Sequence, residues 1–295
     1  MNQSRLPYLL GMIVAMLFWG TGWTAGKVVV EHADAHVAAF WRYAIAAVAM
    51  VPVAFWLKTV FKTDRLGLFY MIGAGVLTAL FNWLFFAGLA HGRAGYGGTL
   101  VTSLSPILTY ALSLALFRFR VTVPQILGLA AGFAGALVLL RVPYDGLAFL
   151  TPESLYFLGC AAVWAVVTIF SQQALKRSDP IFYSLIVFAV AAAVNLLGAL
   201  PYKPFAFGAF DATFWQVILF LGIVPGAFST ALFFLSSGKI GAHNAGIFMF
   251  IVPVGATLSA WAVYGESIEP STIFGCVMAF GAVFLFSLRK RKRTP

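Results

Sequence analysis

Residues 94–141 read AGYGGTLVTSLSPILTYALSLALFRFRVTVPQILGLAAGFAGALVLLR, and residues 241–288, 147 positions further on, read GAHNAGIFMFIVPVGATLSAWAVYGESIEPSTIFGCVMAFGAVFLFSL, with no insertion or deletion between them. Pro106 falls on Pro253, Ile126 on Ile273, Gly128 on Gly275 and Phe133 on Phe280. Each copy opens on small residues, carries a proline within its first apolar run, breaks at a short charged stretch and resumes as a second apolar run. At an offset of 145, Trp19 meets Trp164 and Asp34 meets Asp179. The repeat therefore takes in a whole half of the chain.

Composition sets the medium. The chain is 62% hydrophobic and 9% charged, against roughly 45–50% and about 25% in a soluble domain. That places it in a bilayer, where a helix needs about 20 mostly apolar residues to cross. Ten such runs are visible: 9–30, 37–57, 66–90, 94–117, 124–140, 154–175, 180–200, 214–237, 241–264 and 270–288. Some breaks between them are only three residues long, so those neighbours are expected to form tight hairpins. The first run has no small-residue cleavage site after it and reads as a retained span. Cys160 and Cys276 fall inside runs, with no disulfide framework or metal spacing, so neither metal nor cofactor is expected.

The net charge of +10 is a matter of placement. One side of the membrane receives Arg5, Lys58, Lys62, Arg65, Arg118, Arg120, Lys176, Arg177, Lys239 and the five basic residues of 289–293, fourteen against the four of Lys27, Arg93, Arg141 and Lys203. Cytoplasmic loops are the ones enriched in Lys and Arg, so both termini are expected in the cytoplasm. The excess reports topology and anionic headgroups rather than nucleic acid.

Ten runs in two copies give five per copy, an odd number, so the second copy enters the membrane from the opposite face. The expected fold is an all-α polytopic membrane protein of ten helices, two inverted five-helix repeats (1–141 and 154–288) around a central cavity. Residues 142–153 join the repeats and 289–295 form a basic tail. Inverted repeats are the signature of alternating-access transporters that hold a substrate near the midplane.

Phe18-Trp19-Gly20, Trp41-Arg42-Tyr43, Pro253, Gly265-Glu266 and Gly275 together resemble the EamA-type branch of the drug/metabolite transporter superfamily. Within it, the length and aromatic-rich spans are similar to bacterial amino-acid exporters. The resemblance implies a multi-pass protein of the bacterial inner membrane, with runs 1, 3, 4, 6, 8 and 9 walling a basket-shaped cavity. The first copy departs from the pattern, because Arg118-Phe119 stands opposite Gly265-Glu266.

The clearest polar face is on the fourth run, where Thr99, Thr102, Ser103, Pro106, Thr109, Tyr110 and Ser113 recur at steps of three and four. Singly, each hydroxyl can bond its own i−4 carbonyl. Seven on one face, with a proline among them, point to a cavity. Gly222, Pro225, Gly226, Ser229 and Phe233 share a face of the eighth run, where close packing explains the glycines equally well. Trp19 and Trp23 on the first run and Trp164 and Thr168 on the sixth recur at steps of four; Trp19 and Trp164 lie too deep for the headgroup belt, which leaves a cavity wall or core packing. Thr78, Asn82 and Phe86 on the third run and Asn244 and Phe248 on the ninth follow the same spacing; the amides need partners from a helix or a substrate. Gly95, Gly98, Pro106, Pro225, Gly241 and Pro253 are the expected gating and kink positions.

All nine acidic residues fall at or outside the ends of the runs, so no buried carboxylate serves a cationic drug. Lys27 and Arg42 are the cations nearest the interior and are candidates to attract a substrate carboxylate; each has a bland alternative, snorkelling for Lys27 and pairing with Glu31 or Asp34 for Arg42. No nucleophile with a nearby base and no H-E-x-x-H occurs, which argues against a membrane-embedded enzyme. The expected activity is transport of small apolar or aromatic metabolites, amino-acid export first and broad hydrophobic efflux as the alternative. The expected partners are the substrate and the lipid bilayer, with no nucleic acid.

Overall fold

The computed structural model describes residues 6–117, 151–240, 248–249 and 251–268, with isolated positions at 127, 130, 134, 137, 138, 270, 273, 274 and 277. Every extended element among them is helical: α1 Leu6–His32, α2 Ala35–Trp56, α3 Arg65–His91, α4 Ala94–Phe117, α5 Pro152–Ala174, α6 Pro180–Ala199, α7 Ala212–Leu221, α8 Ser229–Ile240 and α9 Ile251–Tyr264. A π-turn over Gly222–Phe228 joins α7 to α8 as one rod. Among the described residues seven helices are long and apolar enough to cross a membrane, the α7–α8 rod being one of them. The fifth and tenth runs, the start of the ninth and the basic tail lie outside the described residues, apart from those isolated positions.

Helix starts are set by aspartates. Asp34 Oδ1 accepts from His36 N and Asp179 Oδ1 from Ile181 N, both at 2.8 Å. Asp64 Oδ1 accepts from Gly67 N at 2.7 Å and Asp211 Oδ1 from Phe214 N at 2.8 Å. Each cap satisfies a backbone donor that the first helical turn leaves without an intrahelical partner. Asp34 and Asp179 are 145 residues apart, Asp64 and Asp211 147, so the two halves start their second and third helices with the same devices. They end the second helix alike as well, since Lys58 and Lys203, also 145 apart, both sit at φ 51°. That left-handed conformation is uncommon for a residue with a Cβ.

Packing is close where glycines allow it. α1 crosses α9 with Gly20 over Gly255; a Cβ on Gly20 would stand 2.5 Å from the Val252 carbonyl oxygen. α2 packs on α6, α3 on α5, α4 on α5 and α9, and α1 on α7 and α8. The largest buried cluster gathers Trp23, Phe85, Phe86 and Phe157 between α1, α3 and α5. Many apolar side chains on the outer faces, such as Val48, Phe55, Leu197 and Trp261, are exposed, as expected of surfaces that meet lipid.

Two ends of the bundle can be told apart by their contacts. At one, Arg177 after α5 ion-pairs with Asp64 before α3. At the other, His32 at the end of α1 meets Asp211 before α7 at 2.7 Å. The second end also carries Glu266, which follows α9. These are called the Arg177 end and the Glu266 end below.

Candidate functional site

A cavity of about 470 Å³ lies among α1, α2, α3, α4, α5, the π-turn and the start of α9. From α1 come Trp19, Gly22 and Trp23; from α2 Arg42 and Tyr43; from α3 Phe81 and Phe85. α4 supplies Val101, Thr102, Ser105, Pro106, Thr109, Tyr110 and Ser113, and α5 supplies Trp164, Thr168 and Gln172. Phe188, Pro225, Gly226, Thr230, Met249 and Val252 complete the wall. Ser113 lies one turn from the end of α4 and Gln172 two residues from the end of α5, so the wall reaches toward the Arg177 end.

The opposite end is tied shut by polar contacts. Glu266 Oε1 and Oε2 accept from Ala94 N and Gly95 N at 2.9 and 3.0 Å, seating a carboxylate on the first turn of α4. Lys27 Nζ donates to the Gly92 carbonyl at 2.7 Å and lies over the Tyr264 ring. Tyr264 donates to Glu31 Oε2 at 2.9 Å, and an Arg93 Nη donates to the Ser267 carbonyl at 3.0 Å. α1, the α3–α4 hairpin and the end of α9 are thereby joined.

Of the residues singled out from the sequence, Trp19, Trp23, Tyr110, Trp164, Thr168, Pro106 and Pro225 line this cavity together. Trp23 packs on Phe85 at 4.7 Å between centroids, Trp164 on Phe81 at 4.9 Å and Trp19 on Phe233 at 5.2 Å. The α4 hydroxyls do two things at once. Thr102 donates to the Gly98 carbonyl and Thr109 to that of Ser105, at 2.6 and 2.7 Å, while facing the cavity.

Other residues singled out from the sequence lie outside the cavity lining. Ser103 is buried away from the cavity, about 100° round the helix from Thr102. Thr99, nearer the start of α4, meets Thr257 of α9 at 3.3 Å. Asn82 turns to α2, because a buried amide needs partners and finds them in the Ala39 carbonyl and Arg42. Phe86 and Thr78 share that rear face of α3 and are buried behind the wall. The stripe that faces the cavity is Phe81 and Phe85, one residue earlier in each turn. Ser229 is wholly buried and donates to the Val224 carbonyl at 2.8 Å, closing the π-turn. Phe233 and Phe248 pack with Met12 and Met16 in a cluster shared by α1, α8 and the start of α9.

Gly95 sits under Glu266, Gly98 fits against Ala256 and Trp23, and Pro253 is buried on α9, so at these positions the structure shows close packing. Asn244 and Gly241 lie outside the described residues. Lys27 ties the Glu266 end and is not among the cavity-lining residues. Arg42 pairs with neither Glu31 nor Asp34.

Arg42 was singled out from the sequence and lines the cavity; Phe81 and Phe85 were not, although they keep a helical step of four. Of the two partners left open for the Asn82 amide, the structure shows a helix, α2. Ser105 and Thr230 left no separate signal.

Comparison with known proteins places these features in context. The EamA-like transporter family matches residues 6–141 and again 151–288. An uncharacterized transporter YyaM of Bacillus subtilis (strain 168) is 24% identical over 97% of this chain and 95% of its own. An uncharacterized transporter of Archaeoglobus fulgidus is 25% identical over 95% and 98%, respectively. A probable amino-acid metabolite efflux pump of Salmonella typhimurium is 23% identical over 98% of each. A solved crystal structure superposes with a TM-score of 0.66 at 19% identity, covering 98% of this chain and 99% of that one, a likeness of fold.

Proposed function

Because the chain belongs to the EamA-like transporter family, we propose that it moves small apolar or aromatic metabolites, amino acids first, out of the cell by alternating access. The observation that carries this reading is the cavity, whose volume of about 470 Å³ suits a small-molecule ligand and whose wall mixes Trp, Phe and Tyr with neutral hydroxyls. The name of the Salmonella relative points the same way. Broad hydrophobic efflux is the weaker alternative, since Arg42 places a fixed charge in the wall.

The proposed architecture is ten helices in two inverted repeats, 1–141 and 154–288, joined by 142–153 and followed by a tail at 289–295. Reciprocal packing supports it. α1 packs on α9 as α5 packs on α4, α1 packs on the α7–α8 rod as α5 packs on α3, and α2 packs on α6, each the second helix of its half. The ion pairs are reciprocal too: Asp64 with Arg177 at one end corresponds to Asp211 with His32 at the other, by the offsets of 147 and 145. With both termini in the cytoplasm, as the basic residues favour, the cavity reaches toward the cytoplasm and the Glu266 contacts form the closed outer gate.

Flux in vesicles carrying the purified protein tests this. Labelled tryptophan or phenylalanine should equilibrate chemically unchanged, and Trp164→Ala should slow it. Exchange of an apolar dye with no amino-acid flux would favour broad efflux, and chemical conversion of the substrate would favour an enzyme.

A further inference from the structure

Arg42 is the only ionisable cation among the described residues that line the cavity, and no carboxylate lines it. Its guanidinium lies over Phe85, Cζ 4.6 Å from the ring centroid, with the rings of Tyr43 and Phe86 at 5.4 and 5.9 Å. Nη1 donates to Asn82 Oδ1 at 3.2 Å. Nε is buried without a hydrogen-bond partner. No Asp or Glu of the described residues forms an ion pair with it. Asn82 is a neutral acceptor, its orientation fixed by its own donation to the Ala39 carbonyl at 2.7 Å. A cation held this way inside a membrane protein is costly unless an anion joins it. The planar fork of donors matches a carboxylate.

Four hydroxyls of the wall have the opposite polarity. Thr102, Ser105, Thr109 and Thr168 each spend their one proton on the carbonyl four residues earlier. A ligand can use only their lone pairs. A substrate ammonium would therefore meet neutral acceptors and no counter-charge, whereas a substrate carboxylate would meet Arg42.

We propose that Arg42 is the anion-binding residue of the cavity and that the site selects aryl- and alkyl-carboxylates by their acid group, with the amino group of an amino acid secondary. The proposal rests on the transport reading above and adds to it which end of the substrate is read.

Binding to the purified full-length protein, followed by quenching of its tryptophan fluorescence, separates the two. The probes are L-phenylalanine, 3-phenylpropanoate, which lacks the amine, and 2-phenylethylamine, which lacks the acid. A charge-assisted bond is worth roughly twice a neutral one, so the first two should bind within about tenfold of each other and the amine roughly tenfold to a hundredfold more weakly. Arg42→Gln should erase that preference and Arg42→Lys restore part of it. Should Arg42→Gln not fold, Asn82→Asp supplies an internal carboxylate for Arg42 and is expected to exclude both acids. Equal binding of the amine and the acid, or a preference that survives in Arg42→Gln or Asn82→Asp, overturns this proposal and leaves the transport reading standing. Absence of binding by all three probes overturns both.

Discussion

Asn82 donates to the Ala39 carbonyl and accepts from Arg42, so its removal leaves a carbonyl and a guanidinium donor without that partner. Asn82→Ala should lower stability by about 0.5–2 kcal/mol, the range for lost polar bonds in water and between membrane helices. Thermal unfolding in detergent checks this, and an unchanged midpoint would remove Asn82 from the scaffold. The sequence showed a buried amide at the right depth, but helical spacing cannot say which neighbour satisfies it, and here the neighbour was α2. The capping aspartates invite a different test. The Gly67 amide and then Arg177 hold the Asp64 carboxyl below its usual range, and the Phe214 amide and then His32 do the same for Asp211. A carboxyl lowered in the folded state stabilises it above the ordinary carboxylate range and ceases to do so as pH falls through the lowered value. Unfolding temperature should therefore drop on strong acidification, and the drop should be shallower in Asp64→Asn and Asp211→Asn.

Among the elements, α1 and α9 depend on Gly20 facing Gly255. A Cβ at Gly20 would approach the Val252 carbonyl oxygen to 2.5 Å and the Ala256 nitrogen to 2.6 Å, and backbone cannot turn aside as a side chain can. Gly20→Ala should cost about 1–3 kcal/mol by overpacking, read as a lower midpoint; a neutral result would mean that the two helices separate freely. At the π-turn the sequence marks an expected kink, Pro225, without its π register. Pro225 has no N–H to give to the helix ladder, and apolar periodicity reports only that the rod continues. Lengths of α1, α2 and α3 were legible because lipid demands a minimum apolar run. The faces they turn to the cavity were not, since Phe81 and Asn82 are equally compatible with burial.

For the whole molecule, the repeat is legible in the sequence at offsets of 145 and 147, and the matched caps, lysine turns and ion pairs keep those offsets. The gate proposed at the Glu266 end draws on the same offset and on its breakage, because Phe119 occupies the position corresponding to Glu266. A Cβ on Gly95 would stand 3.3 Å from that of Ala260, near the spacing a disulfide needs. Oxidising the Gly95→Cys, Ala260→Cys pair should stop exchange and reduction should restore it, whereas full flux through the crosslinked protein would place the gate elsewhere. Opposed halves around one cavity are the claim on which the rest depends. Phe61 and Gly208 stand 147 apart in the loops after α2 and α6. With Cys160 and Cys276 replaced, a membrane-impermeant thiol reagent applied to sealed vesicles of known orientation should label Phe61→Cys from the cytoplasmic side and Gly208→Cys from the outside. Labelling of both from one side would contradict the inverted arrangement.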